Sequence, residues 1–180
     1  MLDQLLDYLN IKELYPETFD NLLSDNLVYT GSKKLEDKVE NSPLNAGKLV
    51  LSPTRTYAPI LNQVFNNVGR NNINGIVHCS GGAQTKILHF IDNLHIIKDN
   101  LFDIPPVFEL IQAESSTEWR EMYQVFNMGH RMELYVNEDF TDEIIKISKS
   151  FDVDAKIIGR VQSSNEKKLT ISSKYGTFEY

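Results

Sequence analysis

The segment formed by residues 73–91 constrains the fold of this 180-residue chain more than any other. It begins with INGIVHC, a run rich in β-branched residues that predicts a buried strand over residues 73–79. A small-residue turn, Ser-Gly-Gly, follows at 80–82, and the next residues predict a helix over 83–91. A buried strand that passes through a tight turn directly into a helix requires a domain with both sheet and helices.

The rest of the chain alternates between helical and strand periodicity without a strict order of strand, helix and strand. Further helices are predicted over residues 2–23 with a break at Tyr15-Pro16, 53–69 with Ser52 as N-cap and a kink at Pro59, 106–113, 117–126 and 140–151. Further strands are predicted over residues 94–98, 132–136, 156–161 and 169–173. The predicted fold class is α+β: one mixed, largely antiparallel sheet with packed helices over 49–180, preceded by a helical and loop extension over 1–48.

The composition excludes several classes of protein. With 41% hydrophobic and 24% charged residues the chain is typical of a globular protein, and no apolar run approaches the roughly 18 residues of a membrane-spanning helix. The formal net charge of −7 argues against uniform attraction to nucleic acid or to an anionic membrane. Cys79 is the only cysteine, so no internal disulfide can form, and a reducing cytoplasm is the expected compartment.

The turn after the strand is the strongest candidate for a ligand site. Free amides at Ser80, Gly81 and Gly82, next to the positive end of a helix dipole, predict an anion-binding site. Lys86 could add positive charge, and His78 at the end of the strand could exchange a proton with a ligand near neutral pH. The alternative is a tight turn in which the glycines serve backbone geometry alone.

Two other segments could meet an anion. The amides after Ser52 and the guanidinium of Arg55 form one, with an ordinary capped helix as the alternative. In the other, Asn127 and Gly129 are expected to take left-handed backbone angles between a helix and a strand, and His130-Arg131 follows. The alternative there is a loop that only needs Asn and Gly to turn.

Metal and thiol chemistry are not expected from the sequence. His89 and His95 have no metal-ligand partners at useful spacing, while His78 and Cys79, as neighbours in a strand, point to opposite faces. The acidic residues are scattered, without the carboxylate cluster that magnesium or general acid–base chemistry needs. No metal ligand is therefore assigned.

Taken in order, SPTR, HCSGGAQTK, PPVFELIQ, EMYQVFNMGHRM and IIGRV resemble the C-terminal domain of aminoimidazole ribonucleotide (AIR) synthase, or phosphoribosylformylglycinamidine cyclo-ligase, over residues 26–180. The commoner pattern has PTR, then H-[hydrophobic]-T-G-G-G, then E-M-Y-x-x-F-N-x-G-x-G-M. This chain departs from it at Cys79, Ser80 and Ala83, and has His130-Arg131 where V-G or I-G is common. It is similar to a bacterial subgroup with HCSGGAQTK and NMGHRM, so the differences are interpreted as subgroup variation.

The resemblance implies an activity in de novo purine biosynthesis. In this family ATP phosphorylates the amide oxygen of formylglycinamidine ribonucleotide, and an internal nitrogen closes the imidazole ring to give aminoimidazole ribonucleotide, ADP and phosphate. ATP and Mg²⁺ are bound mainly by an N-terminal domain, and the full-length enzyme is a homodimer in the cytoplasm. The chain is accordingly expected to be the C-terminal, substrate-binding half, with its own N-terminal domain as partner, no cofactor of its own, no nucleic-acid or membrane partner, and no activity alone.

The resemblance also carries over a set of site residues. His78 is expected to be catalytic, and seven positions are expected to bind substrate: Ser80, Gly81, Gly82, Thr54, Arg55, Asn127 and Gly129. Two alternatives stay open. One is a stand-alone module that binds a metabolite or nucleotide, and the other is a different member of the superfamily, such as the amidotransferase of the preceding step, a selenophosphate synthase or a thiamin-phosphate kinase, whose motifs match less well.

Overall fold

The computed structural model describes residues 14, 16–18, 22, 24, 30–52 and 55–180. Most of the helical stretch predicted over 2–23 therefore lies outside the described residues, although Pro16–Thr18 forms a short 3₁₀ turn. Thr54, one of the expected substrate-binding positions, also lies outside them. None of the helices in the described part of the chain is long and apolar enough to cross a membrane.

The chain divides into two compact units. The first consists of the described residues within Met1–Thr54 together with Ile104–Met122, and the second consists of Arg55–Asp103 and Tyr123–Tyr180. In the first unit, both the amide and the hydroxyl of Ser32 donate to the carboxylate of Glu114, at 2.8 and 2.7 Å. The predicted boundary between an extension and a domain at residues 48 and 49 stays a prediction.

Five α-helices are found among the described residues. They are α1 (Ala46–Val50), α2 (Ala58–Asn67), α3 (Pro106–Ser115), α4 (Trp119–Val125) and α5 (Thr141–Ser150). The expected N-cap at Ser52 and kink at Pro59 are wrong, because α2 begins only at Ala58 and Pro59 lies in its first turn. A proline there removes no helical hydrogen bond and therefore causes no kink. The predicted end of this helix near Gly69 fits, since α2 ends at Asn67 with Val68 as its C-cap.

The described strands form two sheets, where a single sheet was expected. The strands are β1 (Ile73–His78), β2 (Leu94–Lys98), β3 (Met132–Val136), β4 (Gly159–Ser163), β5 (Lys168–Ser173) and β6 (Gly176–Glu179). β1 and β3 pair antiparallel as one sheet, and the other has the order β4-β2-β5-β6. Within it only β2 and β5 are parallel, so the mixed, largely antiparallel α+β class is confirmed.

The core of the second unit lies between α2 and α5. Ile60, Val64 and Val68 recur at helical spacing on one side and pack against Ile147 on the other. All four side chains are buried, so each contributes on the order of 1.5–3 kcal/mol through the hydrophobic effect. Ile73 of β1 and Leu134 of β3 also pack against this core, so the helix pair supports the strands that carry the candidate site.

Candidate functional site

The end of β1 presents one side chain to solvent and buries the next. His78 is exposed, whereas Cys79 is only 4% exposed, as expected for neighbours in an extended segment. The amide of Cys79 donates to the carbonyl of Arg131 at 2.8 Å. This bond extends the β1–β3 pairing and places the turn after β1 beside the loop before β3.

The turn at Ser80, Gly81 and Gly82 leaves two backbone amides without an acceptor among the described residues. The Ser80 amide donates to the His78 carbonyl at 2.8 Å, and the Ala83 amide donates to the Ser80 carbonyl at 2.7 Å. Neither Gly81 nor Gly82 has such a bond in the described part of the chain. Gly82 has φ +82°, a left-handed angle that strongly favours glycine. Of the three amides in the predicted anion-binding site, only those of Gly81 and Gly82 therefore stay available to a ligand.

The helix predicted after this turn is shorter and tighter than expected. Residues Ala83–His89 form a 3₁₀ helix of seven residues instead of a helix that reaches residue 91. Three residues per turn place the side chain of Lys86 back over the turn. Its ammonium donates to the hydroxyl oxygen of Ser80 at 2.8 Å. A lysine charge thus lies next to the two open amides.

Two arginines contribute positive charge near the same strand end. The ring of Tyr57 meets the ring of His78 edge-on, with centroids 6.3 Å apart. Burial raises the pKa of the Tyr57 phenol, and the charges of Arg131 and Arg55 oppose that shift. Both guanidinium groups therefore act on the same phenol beside His78. Arg55 is exposed to solvent.

The loop before β3 turns differently from the sequence prediction. The positive φ angles belong to Met128 (53°) and Gly129 (127°), and Asn127 is not among the residues with positive φ. Instead, the Asn127 side-chain oxygen accepts the amide hydrogen of Gly129 at 3.1 Å, a bond typical of an Asx turn. The Asn127 carbonyl accepts from the side-chain amide of Gln84 at 2.6 Å, which ties this loop to the segment after the turn.

The structure thus brings most of the expected site residues into one region of the second unit. His78, Ser80, Gly81 and Gly82 are consecutive around the turn, apart from the intervening Cys79. Asn127 and Gly129 are connected to it through Gln84, and Arg55 through Tyr57. The roles of these residues stay predictions.

Sequence reasoning missed a buried polar cluster behind this region. A carboxylate in a strand is ordinarily expected to face solvent, yet Glu133 is only 4% exposed. Its carboxylate accepts from the ammonium of Lys98 at 2.5 Å and from the hydroxyl of Tyr135 at 2.6 Å, and is hydrogen-bonded to the His130 ring at 2.8 Å. One available signal was the lysine at the end of the apolar strand LHIIK, which needs a buried partner.

The cluster shifts the pKa values of its members. Burial raises the pKa of the Glu133 carboxyl, but the hydrogen bond from His130 and the charge of Lys98 outweigh it and lower the pKa to about 2. Burial raises the pKa of the Cys79 thiol to about 12, and the nearby carboxylate of Glu133 adds to this effect. Glu133 is therefore a carboxylate at neutral pH, and Cys79 is a protonated thiol with little nucleophilic character.

The same cluster holds the one grouping of three potential metal ligands among the described residues. Ligand atoms of Cys79, His130 and Glu133 all lie within 4.8 Å of one another. The set does not suit Mg²⁺, which prefers oxygen ligands. The buried ammonium of Lys98 already contacts the only carboxylate of the set. This ammonium supplies the positive charge that a metal ion would otherwise bring to Glu133.

The fold and the turn define the class: an α+β domain with an open glycine turn between a strand and a 3₁₀ helix. The profile described as "AIR synthase related protein, C-terminal domain" matches residues 27–172. The chain belongs to this family, and the resemblance seen in its motifs is confirmed.

Several relatives carry the name phosphoribosylformylglycinamidine cyclo-ligase. The relative from Syntrophus aciditrophicus is 34% identical over 148 residues, which cover 77% of this chain and 40% of the relative. The relative from Caldicellulosiruptor bescii is 34% identical over 74% of this chain and 39% of its own length, and that from Methanococcus vannielii is 32% identical over 75% and 40%. The chain thus spans about 40% of the length of these curated relatives.

Proposed function

We propose that this chain is the C-terminal, substrate-binding half of a phosphoribosylformylglycinamidine cyclo-ligase that forms aminoimidazole ribonucleotide in cytoplasmic purine biosynthesis. The observation that supports this proposal best is the turn after β1. Two amides without an acceptor among the described residues, at Gly81 and Gly82, closely follow the exposed His78 in the chain, and the ammonium of Lys86 contacts the neighbouring Ser80. This arrangement suits a ligand with oxygen anions at one end and a proton to exchange nearby.

Each group has a distinct part in the proposal. Gly81 and Gly82 donate their amide hydrogens to phosphate or carbonyl oxygens of formylglycinamidine ribonucleotide, with the hydroxyl of Ser80 beside them. Arg55 adds a charge that a phosphate can meet in two hydrogen bonds. His78 donates a hydrogen bond or takes a proton at the reacting amidine end of the substrate. These local charges hold an anion although the net charge of the chain is −7.

ATP and Mg²⁺ belong to the proposed reaction, in which ATP supplies the phosphoryl group that activates the amide oxygen. The described residues do not fit the metal, because their one ligand grouping combines a thiol and an imidazole with a single carboxylate. We therefore assign both to the N-terminal domain of a full-length enzyme, which we propose is a homodimer.

Replacing His78 tests the proposal directly. In a full-length enzyme that contains these residues, His78→Ala should lower kcat by about 10²–10⁴-fold, the usual contribution of a general acid or base. The unfolding midpoint should stay close to that of the parent enzyme because the ring is exposed. His89→Ala is the matched control, since this histidine is also exposed but lies at the far end of the 3₁₀ helix. Near-normal turnover of the His78 variant would remove its catalytic role.

Calorimetric titration of the 180-residue chain separates the two classes of function. Formylglycinamidine ribonucleotide should bind with measurable heat, and this heat should fall when Arg55 is replaced by Met. ATP should bind far more weakly, since the described residues offer it no metal site. Tight binding of ATP without binding of the ribonucleotide would favour a stand-alone nucleotide-binding module instead.

A further inference from the structure

The buried carboxylate of Glu133 links β3 and the loop before it to the end of β2. Glu133 lies on β3, Lys98 ends β2, and His130 belongs to the loop before β3. One carboxylate oxygen meets both the lysine ammonium and the imidazole, at 2.5 and 2.8 Å, and the other accepts from the hydroxyl of Tyr135. The ion pair therefore connects the two-stranded sheet with the four-stranded sheet.

Lys98 extends this connection to the turn after β1. Its ammonium donates to the carbonyl and to the side-chain oxygen of Gln84, at 2.8 and 3.0 Å, in addition to Glu133. All three ammonium protons are thus used, and Lys98 is only 1% exposed. Gln84 lies two residues after Gly82, and its side-chain nitrogen donates to the carbonyl of Asn127. The bonds form a closed path from the turn to the loop before β3.

We infer that Lys98, Glu133, His130 and Gln84, named here the Lys98 network, form a positioning unit that sets the spacing between the turn at 80–82 and the loop at 127–130. This inference rests on the proposed function, because both segments carry expected substrate-binding residues. The network touches neither the open amides nor the exposed face of His78, so its members act through the backbone that they hold.

A purely stabilising role explains the network less well. The desolvation of a buried ion pair offsets much of the attraction between its charges. A protein in which well-packed apolar side chains replace such a pair is therefore often as stable as the original. The distinctive property of this arrangement is its geometry, since the two oxygens of one carboxylate accept hydrogen bonds from three partners and so fix their orientation. Two positions at which the chain departs from the commoner family pattern, Cys79 and His130, place ligand atoms within 4.8 Å of this carboxylate. These two departures from the family pattern therefore lie in the same buried cluster.

A metal site is the competing explanation for the same residues. A divalent cation bound by Cys79, His130 and Glu133 would lie next to the ammonium of Lys98, and it would need a thiolate from a thiol whose pKa is raised to about 12. Both requirements oppose binding. The purified chain should accordingly contain no zinc by emission spectrometry. One zinc per chain, lost in a Glu133→Gln variant, would overturn the inference.

The main test removes both charges of the network at once. The variant Lys98→Met with Glu133→Gln keeps the side-chain volumes close to the original and leaves no uncompensated buried charge. The matched control is Arg160→Met with Asp99→Asn, which likewise neutralises both partners of an ion pair, here the exposed pair between β4 and the residue that follows Lys98. Both double variants should give dispersed amide spectra and cooperative unfolding.

The readout is the backbone mobility of the two segments in the 180-residue chain without ligand. In the parent chain and in the control, NMR order parameters at Gly81, Gly82 and Gly129 should be about 0.85, the usual value for a rigid backbone. In the network variant they should fall below about 0.6. Unchanged order parameters in a folded network variant would overturn the inference. Since no ligand is present, this result does not depend on whether the chain binds the proposed substrate.

A milder variant covers the case in which the double replacement does not fold. Gln84→Met removes the side-chain bonds to Lys98 and Asn127 and leaves the ion pair with Glu133 in place. It should lower the order parameter of Gly129, and it should lower the unfolding midpoint without abolishing folding, because one proton of the buried ammonium loses its acceptor. An unchanged order parameter there would show that the network does not position the loop.

Discussion

Glu133 is a buried residue whose ionisation makes the stability of the fold depend on pH. Its pKa is lowered from 4.5 to about 2 because the bonds to His130 and Lys98 outweigh the effect of burial. A carboxyl whose pKa is lower in the folded than in the unfolded state stabilises the fold above the unfolded value. That stabilisation is lost as the pH falls toward the folded value.

The pH dependence of unfolding tests this at the residue scale. From a difference of about 2.5 pKa units, Glu133 contributes on the order of 3 kcal/mol of stability that should disappear between pH 4.5 and pH 2. Glu133→Gln should be less stable at pH 7, because Lys98 stays buried without its counter-charge, and its stability should vary less over that interval. Urea unfolding at several pH values measures both effects.

A matched control is available for this experiment. Glu166 lies in an exposed turn, so Glu166→Gln removes the same type of charge without touching the cluster. It should retain the pH profile of the parent chain. If the Glu133 variant instead lost stability as steeply as the parent between pH 4.5 and pH 2, the carboxylate would not be the group responsible.

Among the elements, β4 depends on one glycine. A side chain at Gly159 would place its Cβ 1.9 Å from the carbonyl oxygen of Ile97, so the strand backbones are too close for any other residue. Gly159→Ala should therefore cost at least about 2 kcal/mol, because backbone must move to relieve the overlap. Gly81→Ala is the control for stability, since its Cβ would meet nothing within 4 Å.

Thermal or urea unfolding distinguishes the two glycine variants. The position 159 variant should unfold at a clearly lower midpoint, and the position 81 variant should stay within about 0.5 kcal/mol of the parent chain. Equal midpoints for the two would mean that β4 is not held as closely against β2 as the structure shows.

The elements themselves were predictable where periodicity is strong. The strand over 94–98 and the strand over 132–136 match the prediction at both ends, because their β-branched or alternating patterns are clear. The short strand β6 was missed, since GTFE carries no such pattern. The division into two sheets also escaped, because periodicity shows which face a residue takes but not which strand it pairs with.

Part of the candidate site was predictable from its residue types. Glycine and histidine at the end of β1 mark a turn by their own chemistry, so His78 and Gly82 could be singled out from sequence. Lys98 and Glu133 could not be paired, because they are 35 residues apart and meet only through the tertiary fold. The left-handed angle at Met128 was missed as well, since no local rule favours a methionine there.

At the scale of the whole chain, the strongest expectation concerns what it does alone. The 180-residue chain should show no ATP hydrolysis and no cyclo-ligase turnover, because the described residues hold no carboxylate set suited to Mg²⁺. A coupled assay of ADP release, with the Syntrophus aciditrophicus relative as the positive control, measures this. ADP release by the chain that depends on formylglycinamidine ribonucleotide would contradict it.

The order of strands in the larger sheet has a consequence for synthesis on the ribosome. β2 lies between β4 and β5, yet both partners follow it only after residues 99–158. During translation the apolar strand with Ile96 and Ile97 therefore emerges with two unpaired edges, and it waits for the last segments of the chain. Nascent chains of this domain are thus most prone to aggregate while those residues are being made, and a ribosome-bound chaperone has a defined interval in which to shield them.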